Sequence, residues 1–378
     1  MTRKQSDKIA HGNSPLDQPA GKTMAEVGLA RKTAVVIKPE DAGCLVLDFV
    51  AARFTYRSRE EWRQELDAGR FLLSGAPAGS QSLLAAGDRL VYLLPELPEP
   101  PVDQNFAVLY EDDDLLVVDK PASLPCHPAG CFFRHTLWAL LRERHGLPKP
   151  SLINRLDRET SGIVLVAKNK QAARHCYQQF ASRQVDKRYL VLVEGEFPFG
   201  DLQADGCLAP DPASAIRKKV RFYPSDLTAA ALAGAVPCRT TLRRLRSDNG
   251  ISLLEAIPVT GRCHQIRATL CSLGFPVVGD KLYGVDEQLF LRFRQGGLTA
   301  ADHQRLRLDR QALHAATLRL RHPLSGRELE FSSPLPEAMQ SLLGLGGDTG
   351  TPVSSAVSLR HPRSRANIAK SSGERTSL

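Results

Sequence analysis

The run Gly162-Ile163-Val164-Leu165-Val166-Ala167 constrains the fold more than any other stretch. It carries no charge and is rich in β-branched residues, so it reads as a buried strand. Ahead of it, Ser151 to Ser161 is a charged loop in which Asp157 sits between Arg155 and Arg158. A charged loop feeding a rigid strand is a place where a reactive side chain can be held. Behind it, Lys170 to Ser182 has helical spacing, with Ala172, Cys176 and Phe180 on one stripe and Asn169 as N-cap.

The rest of the chain arranges itself around this unit. Residues 1–40 are polar and without period and read as a mobile leader. Residues 41–95 hold a small domain. In it, Ser58 and Glu61 form a capping box, Trp62 and Leu66 share a helix face, and Gly69 closes the helix. Phe71 to Leu73 and Arg89 to Leu94 are its strands. That helix carries Arg59 and Arg63 one turn apart, either a solvated face or an RNA-docking face. The Pro-rich residues 96–105 can be neither regular helix nor central strand and serve as a linker. A larger domain over 106–342 follows. Strands are expected around the acidic turn Glu111 to Asp114, over 187–193, over 251–258, and as a pair over 312–321 and 328–331. Helices are expected over 136–144 and 265–273. Residues 201–221 read as a loop ending in the basic cluster Arg217-Lys218-Lys219. Residues 224–236 read as a surface insertion. Pro334-Leu335-Pro336 reads as the end of the ordered part, and 343–378 as a disordered tail.

Composition narrows the function classes. The eight cysteines show no CxxC spacing, so free thiols in a reducing compartment, the cytoplasm, are expected. No stretch resembles a transmembrane helix or a secretory h-region. The net charge of +9 favours a polyanionic partner. With aromatics at only 6%, a broad stacking platform for single strands is not expected. There is no GxGxxG or GxxxxGK[ST], hence no case for a dinucleotide or P-loop site. Cys126, His127, Cys131 and His135 match no standard zinc spacing, so no metal is expected.

A carboxylate flanked by arginines stays ionised. Asp157 therefore suits a nucleophile, a base toward a weakly acidic proton, or a structural ion pair, and the residues alone leave all three open. Arg262, His264 and Arg267 cluster on a turn running into a helix. With Arg217, Lys218 and Lys219 they suggest a surface for phosphates.

Several ordered motifs carry a resemblance. Arg155-Leu156-Asp157 with Thr160-Ser161-Gly162 resembles the RLD motif of the RNA pseudouridine synthases of bacterial large-subunit rRNA and tRNA. Lys120-Pro121 with Pro125, His127 and Pro128 looks like the family's early loop, and Lys187-Arg188-Tyr189-Leu190 like its tyrosine strand. Thr260 to Arg267 looks like its TGRxHQIR segment, followed by Val278 to Gly284. Leu313-His314-Ala315 with His322-Pro323 and Gly326 resembles its last strands. The resemblance covers roughly residues 106–340.

It implies an α/β (α+β) fold with a mixed, mainly antiparallel sheet and flanking helices. It implies a diverged S4-like RNA-binding domain ahead of the catalytic one. The implied reaction isomerises uridine to pseudouridine in rRNA or tRNA, with no cofactor and no obligate protein partner, in a monomer. By the same resemblance Asp157 is the catalytic aspartate, and Tyr189 packs on the target base and helps remove its C5 proton. Arg267 pairs with the aspartate, and Arg155 helps displace the base from its stack. Asn154 stands where the family usually has His, and Cys263 replaces Thr or Ser. These two departures are the sequence support for an alternative, a silent RNA-binding or ribosome-assembly factor on the same fold.

Overall fold

In the computed structural model, which describes residues 32–55, 57–94, 98–225 and 233–344, the chain divides into two units between Pro98 and Glu99. The division falls inside the Pro-rich segment, where proline denies the backbone a helix or a ladder.

The first unit begins earlier than its sequence suggests. Strand β1 (Lys32–Val36) lies within the expected leader, yet it pairs in register with β4 (Arg89–Leu93), Lys32 opposite Leu93 and Val36 opposite Arg89. Five residues at a sheet edge, mostly exposed, give too short a period to read alone. Residues 1–31 of the expected leader lie outside the described residues. Helices α1 (Val46–Arg53) and α2 (Arg59–Asp67) follow, then β2 (Phe71–Leu73) and β3 (Ala76–Pro77), in the sheet order β1-β4-β2-β3. The Ser58/Glu61 capping box forms as expected. Trp62, Phe71 and Tyr92 build the core, with Phe71 and Tyr92 stacked at 4.6 Å between ring centres. Buried Glu65 accepts from Tyr92 Oη and Arg70 Nη1, each at 2.7 Å, so its charge is compensated.

The second unit is built on one mixed sheet. Its strands are β5 (Ala107–Glu111), β6 (Leu115–Lys120), β7 (Ser151–Leu152), β8 (Ser161–Ala167), β9 (Asp186–Glu194), β10 (Asp201–Pro210), β11 (Val220–Pro224), β12 (Val236–Asp248), β13 (Ile251–Pro258), β14 (Leu313–Arg321) and β15 (Glu328–Ser332). The order is β11-β10-β12-β13-β9-β14-β8-β6-β5, with β15 on β14 and β7 on β8. Every pairing is antiparallel except β14 on β8. All seven residues of β8 are buried, as the apolar run demands. Helix α4 (Lys170–Ala181), capped by Asn169 Oδ1 on the Ala172 amide, packs Ala172, Ala173 and Cys176 onto that strand's core. Helix α3 (Leu137–Glu143) is capped by Thr136, and α5 (Gln265–Ser272) packs Ile266 and Leu270 beneath the β9–β13 side.

Two expectations fail here, and two helices were not foreseen. The stretch 201–221 is not a loop, because β10 and β11 occupy most of it. Its Gly206 and aspartates mask the strand period, and pairing with the thirteen-residue β12 supplies the order. Order also does not stop at Pro336: α8 (Glu337–Leu342) follows, with Met339 and Leu343 fully buried. Helices α6 (Gln288–Arg294) and α7 (Ala300–Leu306) were not anticipated. Most of the expected insertion, at 226–232, and the tail from 345 lie outside the described residues.

Candidate active site

A straight row crosses four strands at the site. Gly162 of β8 pairs with Ala315 of β14, Ala315 with Tyr189 of β9, and Tyr189 with Ala256 of β13. Cross-strand partners project to the same face. Tyr189 therefore stands between small neighbours, and the Asp157 loop enters β8 at the same level. Gly162 is required there. It has φ +109°, and a Cβ would meet the Ala315 carbonyl oxygen at 2.3 Å.

The loop before β8 is pinned from several sides. Asn154 bridges two backbone groups of β8, donating to the Ile163 carbonyl (3.1 Å) and accepting from the Leu165 amide (2.8 Å). This continues the β7 pairing by one side chain. The Leu156 amide donates to Cys126 Sγ (3.4 Å), and the Thr160 amide to the Asp157 carbonyl (3.1 Å). Lys120 is fully buried, and its ammonium donates to the carbonyls of Pro121, Leu124 and Arg158 at 2.8, 2.9 and 3.2 Å. Burial pushes its pKa down to about 8. It ties the 121–124 loop to the residue after Asp157.

Asp157 is held by an arginine that is itself held. Asp280, wholly enclosed, takes Arg267 Nε and Nη2 at 2.6 and 2.8 Å. That bidentate grip turns Nη1 toward Asp157 Oδ2 at 2.7 Å. Gln311, just before β14, donates to the same oxygen at 3.4 Å and to the Thr160 hydroxyl. Oδ1 receives none of these bonds. Facing it at 4.0 Å is Nε2 of His264. The Val220 amide donates to Tyr283 Oη, and His264 Nδ1 is hydrogen-bonded to the same hydroxyl (3.0 Å). His264 reaches this place through a left-handed backbone, φ 56°, at the cap of α5.

The electrostatics follow from these contacts. Burial pushes the Asp157 carboxyl up, but the charges of Arg267 and His264 and the hydrogen bonds to it outweigh burial and hold it below the ordinary range. Asp280 is lowered in the same balance, burial against Arg267. His264 is lowered by burial and by Arg267, so it is neutral at pH 7. Burial, then the Asp157 charge, raises the Tyr189 phenol to about 12. Tyr189 is thus a neutral aromatic wall beside an ionised carboxylate.

Two cavities meet here. One, of about 110 Å³, is lined by Arg155, Tyr189, Arg262, Ile266 and Leu313 among others. The other, of about 180 Å³, is lined by Arg158, Lys218, Phe290 and Phe293 among others. They share Asp157, His264 and Arg267. The structure thus brings together Asp157, Tyr189, Arg267, Arg155, Arg262, His264 and Lys218. Arg217 is exposed beside Lys218. Lys219 turns inward to Glu287 (2.7 Å). Arg59 and Arg63 belong to the first unit, where they pair with Asp48 and Glu60. Cys263 is exposed while His264 points in, so they form no thiol–imidazole pair. Sequence reasoning missed Asp280, Gln311 and Tyr283 as site residues. For Asp280 a signal existed, an acid in a glycine-flanked turn directly after the apolar Val277-Val278.

Residues 114–272 match the family described as RNA pseudouridylate synthase. A Xanthomonas campestris pv. campestris protein named ribosomal large subunit pseudouridine synthase D is 33% identical over 315 residues, spanning 81% of this chain and 90% of that protein. The chain belongs to the RNA pseudouridylate synthase family. A Nitrosomonas europaea protein with the same name is 37% identical over 242 residues, 62% of this chain and 64% of that one. The solved structure titled Human RNA Pseudouridylate Synthase Domain Containing 1 aligns at TM-score 0.50 and 28% identity, over 66% of this chain and 90% of that chain. The synthase is an isomerase acting on RNA, and its mixed, mainly antiparallel sheet is the fold its sequence implied. Neither departure from the family pattern disturbs the Asp157 constellation. Asn154 works on the backbone of β8, and Cys263 lies on the surface. Among the described residues no helix is long and apolar enough to cross a membrane.

Proposed function

We propose that this synthase converts a uridine of large-subunit ribosomal RNA to pseudouridine, in the cytoplasm and as a monomer, with Asp157 as the catalytic carboxylate. The observation that carries the reading is the aim of Asp157. Arg267 and Gln311 hold Oδ2, Oδ1 receives neither bond, and Asp157 and Tyr189 line one cavity. The names of the Xanthomonas and Nitrosomonas relatives support the ribosomal substrate.

In the reaction the N1–C1′ bond breaks, the uracil turns, C5 bonds to C1′ and loses its proton, and N1 takes up a proton, so the product is an isomer of the substrate. An ionised Oδ1 serves either route, attack on C1′ or removal of a sugar proton to give a glycal. Tyr189, a neutral ring, packs on the freed uracil. Reaching the cavity requires the uridine to leave its stack, at a cost of a few kcal/mol. Arg155, exposed at the mouth, takes the vacated position. Arg262, Arg217 and Lys218 offset part of the cost through phosphate contacts. The first unit serves as an S4-like RNA-docking module.

Pseudouridine mapping of rRNA and tRNA from a deletion strain tests this. One ribosomal position should lose pseudouridine, regain it with the wild-type gene, and stay uridine with Asp157→Ala. Loss confined to tRNA rejects the ribosomal assignment, and restoration by Asp157→Ala rejects the carboxylate.

A further inference from the structure

The cavity on the Arg158 side of Asp157 is not the one that Tyr189 lines, yet it is the larger of the two. Its wall comes from α6, whose Phe290 and Phe293 are three residues apart and half-buried on one helix face. Cations crowd these rings. Lys218 Nζ lies 4.2 Å from the Phe290 centre, Lys281 Nζ 4.8 Å and the Arg158 guanidinium 5.3 Å from that of Phe293. Glu159 pairs with both Lys281 (3.0 Å) and Arg158 (2.9 Å) and offsets one of their two charges. Lys218 is exposed and forms no ion pair among the described residues. The cavity thus offers flat apolar rings beside an uncompensated cation, and it opens onto the catalytic carboxylate.

We propose that this second cavity is a subsite for the nucleotide adjoining the target uridine, its base against Phe293 and its phosphate on Lys218. A ligand with one flat face and one anion, tethered within a nucleotide's reach of Asp157, is the neighbouring residue of the same RNA strand. Stacking is tolerant of base identity, so the subsite selects a nucleotide that can unstack rather than one base. It also gives α6 a purpose: the helix turns a one-nucleotide pocket into a two-nucleotide one. The subsite rests on the ribosomal reading above.

The test uses the full-length synthase and short synthetic RNA stem-loops around the mapped uridine. One series is intact, and two series carry an abasic nucleotide 5′ or 3′ of that uridine. With intact RNA, Phe293→Ala should raise KM about tenfold with kcat nearly unchanged. With the abasic neighbour on the correct side, wild type and variant should become equal. Lys218→Gln, at an exposed position that threatens no core, should flatten the slope of log(kcat/KM) against log salt by about one. An equal Phe293→Ala defect on intact and both abasic RNAs, or none on any, together with an unchanged salt slope for Lys218→Gln, would overturn the subsite. A deletion strain that loses no ribosomal pseudouridine would instead refute the ribosomal reading and take the subsite with it.

Discussion

Asp280 grips Arg267 through Nε and Nη2, at 2.6 and 2.8 Å, and so leaves Nη1 as the edge that meets Asp157. The arrangement separates two duties. Asp280 compensates a buried guanidinium, and Arg267, fixed in plane, orients the carboxylate in the cavity.

Asp280→Ala should therefore damage both stability and turnover. Removing one member of a buried pair costs about 3–5 kcal/mol. Arg267 would also lose its plane, and kcat should fall at least tenfold, about 1.4 kcal/mol of barrier. Thermal unfolding and single-turnover pseudouridine formation measure the two effects. A stable, fully active variant would show that Arg267 needs no second partner.

The pH profile should be flat across neutrality. Asp157 lies below the ordinary carboxylate value of about 3.9, and neutral His264 below about 6.5. A depressed carboxylate contributes stability that is fully present above its unfolded value and is lost as pH falls through the folded one. Its loss belongs below about pH 4. Between about pH 6 and 7, below the range in which buried Lys120 loses its proton, kcat/KM should change less than twofold. An inflection near 6.5 that disappears in His264→Asn would contradict a neutral imidazole.

Gly162→Ala places a Cβ 2.3 Å from the Ala315 carbonyl and in a left-handed backbone. Either β14 separates from β8 or the Asp157 loop shifts. A loss of about 3 kcal/mol or more is expected, with turnover reduced even at temperatures where the variant stays folded. Denaturant unfolding and activity at low temperature check this. A loss below about 1 kcal/mol would mean that the parallel contact is not rigid.

Asn154→Ala should leave the Ile163 carbonyl and the Leu165 amide without their partner. The expected cost is about 2–4 kcal/mol, with kcat lowered more than KM is raised. Hydrogen exchange at Leu165 should quicken. A variant that altered only which uridine is modified would assign Asn154 to RNA selection instead of loop anchoring.

Much of the fold could be read locally. The Asn169 cap and the Ser58/Glu61 box use contacts within a few residues, and the uncharged run at 162–167 marks a buried strand whatever its partners, so spacing and composition reveal them. The strand β1 and the pair β10–β11 could not be read this way. Their order comes from partners more than ten residues away, against local composition that favours a loop.

At the site the same distinction holds. From sequence, Asp157 is an ionised carboxylate on a loop before a buried strand, and the family motifs mark Tyr189 and Arg267 as its companions. Composition alone leaves a structural ion pair equally open, because a charge pattern does not say which oxygen is used. Tertiary structure decides that. Asp280 and Gln311, both more than one hundred residues from Asp157 in the chain, fix Arg267 and Oδ2 and leave Oδ1 outside those bonds. Direction in space belongs to the packing of distant strands, and no local pattern of residues encodes it.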